Sequence, residues 1–160
     1  MKKIIVFASL LTFIDQIIKF VITNTITLNE SINVIKNFFS ITYVRNFGAA
    51  FSILDGNRFF FILITFVALG LIYLVFLKNS EIKKTEVLIY SMMLSGIIGN
   101  LIDRIFKGFV IDYLDFRIFG HYFPVFNLAD SLIVVSVILL LVILIKEEIT
   151  CKKLHQTKIK

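Results

Sequence analysis

The residues best placed to do chemistry are two aspartates. Asp112 follows shortly after one long apolar run, and Asp130 opens another inside Phe126-Asn127-Leu128-Ala129-Asp130-Ser131, so two carboxylates flank one short loop at the same expected depth. Each alone is accounted for by helix capping, since a negative charge in a first helical turn gains a fraction of a kcal/mol. As a pair they do more. If their oxygens approach to about 4 Å, repulsion at an effective dielectric near 20 is on the order of 4 kcal/mol, roughly three pK units. One acid then keeps its proton. A carboxylate beside a carboxylic acid can take a proton from water and give one to a carbonyl, which is how a carboxyl dyad hydrolyses a peptide. That chemistry calls for no metal, no other cofactor and no covalent intermediate.

A second group of polar residues sits within otherwise apolar sequence. Ser91, Ser95, Gly99 and Asp103 recur at successive intervals of four, with Gly96, Asn100 and Arg104 on the adjoining stripe. The small residues suit close approach of a neighbouring helix, while Asn100, Asp103 and Arg104 gather at one end, able to bind a peptide backbone or a carboxylate. Asp15 and Lys19 lie four apart on one helix face, where they can pair across a turn; we read them as a structural ion pair, with Asp103 as a further structural polar group. His121 and His155 fit no metal-ligand spacing, and no HExxH stands in the chain. Ser95 and Ser131 lack a histidine at their depth, which disfavours a serine nucleophile.

The elements that must carry these residues are membrane helices. Of the 160 residues 58% are hydrophobic, Phe alone supplies 18, and Pro occurs once, at Pro124. The mean hydropathy of +0.92 is too high for a soluble domain of this size to bury. Spanning the hydrocarbon takes about 20 mostly apolar residues, and four segments qualify, at about 4–23, 59–77, 86–106 and 128–145. Met1-Lys2-Lys3 before the first run resembles a signal-peptide start, but the run continues past Asp15 and Lys19 with no A-x-A-like cleavage site, so it reads as an uncleaved span. The net charge of +6 comes from Lys and Arg at the ends of apolar runs, which is a topology signal rather than a nucleic-acid surface. Lys2, Lys3, Lys78, Lys83, Lys84, Lys146 and the tail lysines fall on one side, expected to be cytoplasmic, with both termini there.

Two longer connections, 24–58 and 107–127, then fall on the extracytoplasmic side. Ile32 to Val44 is rich in β-formers, and Leu114-Asp115-Phe116-Arg117-Ile118 alternates like a strand, with Asp115 expected on its solvated face. Asn46-Phe47-Gly48 and Phe119-Gly120-His121 read as turns. The expected fold is therefore a mainly α membrane protein, one domain over 1–160, with four transmembrane helices and a small extracytoplasmic β-sheet.

These motifs together resemble one family, the lipoprotein signal peptidases, also called signal peptidase II. Gly99-Asn100-Leu101-Ile102-Asp103-Arg104, then Gly108 and Val110-Ile111-Asp112-Tyr113, resembles its GNxxDR…G-x-V-x-D segment. Phe123 to Ser131 resembles FPxFNxADS, Asn46 to Phe51 resembles N-x-G-A-A-F, and Asp15 with Lys19 matches in the first span. The resemblance implies an aspartic endopeptidase of the bacterial cytoplasmic membrane that removes the signal peptide from diacylglyceryl-modified prolipoproteins, cutting before the lipidated Cys. It implies a catalytic pair at Asp112 and Asp130, with Asn46, Gly48, Asn100, Arg104 and Asn127 lining the site. It also implies a lipidated precursor and membrane lipid as partners and inhibition by globomycin-like compounds; a monomer is expected, and the placement of the basic residues argues for no nucleic-acid partner. The competing classes are a small transporter or channel using Asp15, Lys19, Asp103, Arg104 and Asp130 as an ion path, and a noncatalytic assembly partner packed through the small-residue stripe.

Overall fold

The computed structural model describes residues 1–48, 56–74 and 82–158, from 153 on by backbone alone. Ala49, Ala50 and Phe51 of the first-loop motif, the end of the second expected span and Lys78 lie outside these residues. Four apolar helices form a bundle: α1 (Lys2–Thr25), α2 (Arg58–Ile72), α3 (Lys84–Phe106) and α4 (Leu128–Lys158). Three of them are long and apolar enough to cross a membrane, and α2 is a shorter apolar helix over its described length. α4 outruns the expected end at 145 because the Lys- and Glu-rich sequence beyond it is helix-forming and includes a Glu148–Lys152 ion pair across one turn, 2.6 Å.

The bundle is apolar outside and polar within, as lipid demands. Phe7, Phe13, Phe20, Phe66 and Val135 are exposed, whereas Thr12, Asp15, Lys19, Ser91, Ser95 and Asp103 are buried. α3 is the central helix and packs on all three others. Glycines permit this. A Cβ on Gly96 would meet the Ala129 carbonyl oxygen and lie 2.7 Å from Ile133 Cγ1, and one on Gly99 would lie 2.6 Å from Asp15 Oδ2. Hydroxyls knit α1 to α3 where the helices are this close: Thr12 Oγ1 donates to Ser95 Oγ at 3.3 Å, and Ser91 Oγ to the Ile4 carbonyl at 3.3 Å. α2 buries no residue and rests against α3.

A four-stranded antiparallel sheet, in the order β1 (Ser31–Ile35), β2 (Phe39–Asn46), β3 (Val110–Ile118), β4 (His121–Tyr122), sits at the end of the bundle where α1 and α3 finish and α4 begins. The stretch read as one strand over 32–44 is thus a hairpin, turning at Asn37 with φ 59°. β3 starts four residues earlier than expected, at Val110, so Asp112 lies on a strand instead of capping a helix. β3 and β4 join through Phe119-Gly120, both at positive φ as the twist of a two-residue hairpin requires. Tyr43, Ile111 and Tyr113 of the sheet pack on Ile22 of α1 and on Ile26, the residue that caps it, which seats the sheet on the bundle.

Candidate active site

Between the sheet and the ends of α3 and α4 lies a cleft of about 620 Å³. Asp112, Asp115, Asp130, Asn46, Asn100 and Arg104 line its polar side, and Tyr122 to Phe126 form an apolar wall. Asp112 reaches it from the middle of β3 and Asp130 from the first turn of α4. One residue joins them. Asn127 Nδ2 donates to Asp112 Oδ1 at 2.7 Å, while its backbone N–H donates to Asp130 Oδ2 at 3.1 Å and its Oδ1 accepts the Asp130 N–H at 3.0 Å. The last two bonds form a reciprocal cap on α4. Asp130 is therefore both a helix cap and a cleft carboxylate.

Each remaining carboxylate oxygen also receives an amide. Asn46 Nδ2 donates to Asp112 Oδ2 at 2.9 Å, and Asn100 Nδ2 donates to Asp130 Oδ1 at 2.7 Å. Asn46 is oriented by the Gly48 N–H, which donates to its Oδ1 at 3.0 Å, and the Gly48 carbonyl accepts Arg104 Nη2 at 3.3 Å. Arg104 is steadied in turn by the Phe61 ring, 5.0 Å from its guanidinium carbon. The expected site residues Asn46, Gly48, Asn100, Arg104 and Asn127 thus converge on the two acids. Burial pushes the Asp112 carboxyl up to about 6, and the charge of Asp130 adds to this; the Asn46 and Asn127 amides and the charge of Lys19 pull the other way.

Asp15, Lys19 and Asp103 lie just beneath. Lys19 Nζ sits 2.9 Å from Asp15 Oδ2 and 2.8 Å from Asp103 Oδ2, all three side chains being fully buried, and Lys107 Nζ is 2.8 Å from Asp103 Oδ1. Asp103 is held in this cluster and does not line the cleft. Asp15 Oδ1 also accepts the Ala129 N–H at 3.2 Å, tying α1 to the start of α4.

The expectation for Asp115 needs correcting. It is half-buried, lines the cleft and accepts Thr42 Oγ1 at 2.7 Å. The cause is a bulge: Thr42 and Tyr43 of β2 stand opposite the single Tyr113 of β3, between the pairs Ile41–Leu114 and Val44–Asp112. Bulges re-aim side chains, and here both Asp112 and Asp115 face the cleft although strict alternation would part them. Arg45 and Tyr122 were likewise not singled out by sequence reasoning, and Phe123 to Phe126 stood out only as part of a motif, not as a wall of the cleft. Among the described residues no cluster of three or more His, Cys, Asp or Glu side chains could hold a metal ion.

Known proteins resemble the chain in sequence and in fold. A family model described as signal peptidase (SPase) II matches residues 7–146. The lipoprotein signal peptidases of Staphylococcus aureus strains JH9 and Newman are each 38% identical over 143 residues, covering 89% of this chain and 88% of the relative. Two solved structures, both described as bacterial membrane enzymes, superpose with TM-scores of 0.84 and 0.81 at 36% and 37% identity. They cover 92% and 91% of this chain, and 90% and 94% of their own. With likeness in sequence and in fold running along nearly its whole length, the chain belongs to the signal peptidase II family.

Proposed function

We propose that this peptidase works through a carboxyl pair, Asp112 and Asp130, and that it cleaves diacylglyceryl-modified prolipoproteins just before the lipidated Cys. Membership of the family makes the chain a hydrolase of a bacterial membrane. The observation that carries the catalytic reading is the bridge of Asn127, which binds both carboxylates within one cleft. In the first step the carboxylate of the pair takes a proton from water as the water oxygen bonds to the scissile carbonyl carbon. The carboxylic acid gives its proton to the carbonyl oxygen, producing a neutral gem-diol. Collapse breaks the C–N bond; the proton taken from water passes to the departing amine, and a diol proton returns to the acid.

The cleft has features that suit such a substrate. Its polar amides can hold an extended backbone, and the wall from Tyr122 to Phe126 offers apolar surface to the lipid-bearing residue. The Lys count puts both termini in the cytoplasm and the cleft at the extracytoplasmic face. The protein is expected to act as a monomer and to bind globomycin-like inhibitors at this site. A channel reading has less support: below the charged layer, the buried polar groups of the described residues are hydroxyls, each satisfied by a neighbouring helix or by a carbonyl of its own helix. The test is cleavage of a lipidated precursor by Asp112→Asn and Asp130→Asn. Both variants should insert in the membrane and cut nothing; near wild-type cleavage by either would refute the pair.

A further inference from the structure

Lys19 does more than neutralise Asp15. Its third hydrogen bond runs to Asn100 Oδ1 at 3.1 Å, and Asn100 Nδ2 donates to Asp130 Oδ1 at 2.7 Å. An ammonium has three N–H donors and no acceptor, so the amide of Asn100 cannot rotate to face it with its NH₂. Asn127 Nδ2 donates to the same Asn100 Oδ1 at 3.2 Å, which fixes the orientation further. Asp130 therefore receives one N–H backed by a buried cation and one from the backbone at the start of α4. The amides that reach Asp112 have no such backing: the carbonyl oxygens of Asn46 and Asn127 are occupied by the backbone N–H groups of Gly48 and Asp130.

We propose that Lys19 is a positioning residue for the reaction, acting through Asn100 to hold Asp130 as the carboxylate of the pair and to leave the shared proton on Asp112. This rests on the carboxyl-pair reading above and assigns its two roles, Asp130 activating water and Asp112 protonating the carbonyl. The surrounding charges fit it. α1 contributes Asp15 and Lys19, and α3 contributes Asp103, Arg104 and Lys107. With Asp112 and Asp130 added, four acids face three cations, and the layer is neutral when the pair holds one proton. From the sheet, Arg45 and Asp115 face the upper cleft as one charge of each sign, and the phenol of Tyr113 packs below them.

The experiment is the pH dependence of kcat/KM for a lipidated precursor in micelles, comparing three variants with the wild type. Asp15→Asn/Lys19→Met removes the cation together with one of its partners, leaving Asp103 paired with Lys107 and the net charge unchanged. Asn100→Ala cuts the relay at its middle while leaving both ion pairs of Lys19 in place. In both, the acid limb should move to higher pH by roughly one unit, because Asp130 loses support for its ionised form. Lys107→Arg perturbs the ion cluster at constant charge and leaves the link to Asn100 intact, so its limb should stay at the wild-type pH. A purely structural Lys19 would lower folded yield and amplitude without moving the limb. An unmoved limb in Asn100→Ala, or in a folded double variant, overturns the relay. Activity surviving in Asp112→Asn or Asp130→Asn overturns instead the catalytic reading beneath it.

Discussion

Adding a single methyl group at Gly96 should silence the enzyme, although Gly96 does not line the cleft. A Cβ there would meet the Ala129 carbonyl oxygen and lie 2.7 Å from Ile133 Cγ1 and 3.2 Å from the Ala129 carbonyl carbon. Carbon atoms rest at about 3.5–4.0 Å, so α3 and α4 must part by roughly 1 Å, and the carbonyl backbone cannot swing aside as a flexible side chain would. Overpacking of this kind costs about 1–3 kcal/mol. The catalytic cost is larger, since Ala129 precedes Asp130. The 2.7 Å bond from Asn100 to Asp130 would stretch by about the same 1 Å, beyond hydrogen-bonding range. Misplacement by about 1 Å can lower a rate on the order of 100-fold. The assay pairs a thermal melt with gel-shift cleavage of a lipidated precursor, using Gly70→Ala as control because nothing lies within 4 Å of a Cβ there. Wild-type turnover by Gly96→Ala would show that the α3–α4 contact does not set the carboxyl geometry.

With Asp112 pushed up to about 6 and proposed as the acid of the pair, kcat/KM should fall as pH rises through a value of about 6 or above; a single limb near 4 with a flat plateau above it would contradict this. Asp15→Ala strands part of the charge of Lys19 in a fully buried site and should cost about 3–5 kcal/mol of stability, measured by thermal unfolding, while moving the pH profile little. A variant that melts normally but has a displaced profile would put Asp15 in the active site. Reporter fusions should find both termini in the cytoplasm, and termini on opposite sides would overturn the four-span topology.

Much of this arrangement is readable from sequence, because lipid makes polar residues conspicuous. Asp15, Lys19, Asn100, Asp103 and Arg104 interrupt apolar runs, and the structure brings them together in and beneath one cleft. Asp112 and Asp130 are visible as acids flanking one loop. Hidden were the features that depend on pairing between distant segments. The bulge at Thr42 and Tyr43 exists only relative to Tyr113, so period-two reasoning sends Asp115 to the wrong face. The joint grip of Asn127 on both acids depends on the sheet standing over α4, and the bond from Lys19 to Asn100 depends on α1 packing against α3. The turn at Asn37 was missed because the residues around it keep β-forming character on both sides. Its positive φ is the sort that Asn tolerates.

The buried charges bear also on how the chain enters its bilayer. Asp15 and Lys19 lie one turn apart on α1, and Asp103 lies one turn before Lys107, the residue that caps the C-terminus of α3, each with the acid toward the N-terminus. That order is the favourable one within a helix. Each segment accordingly carries a counterion for its own buried charge before the two helices pack. The Lys19–Asp103 contact joins two helices and can form only where they meet, so it serves assembly of the bundle, while the pairs within each helix serve its passage into lipid.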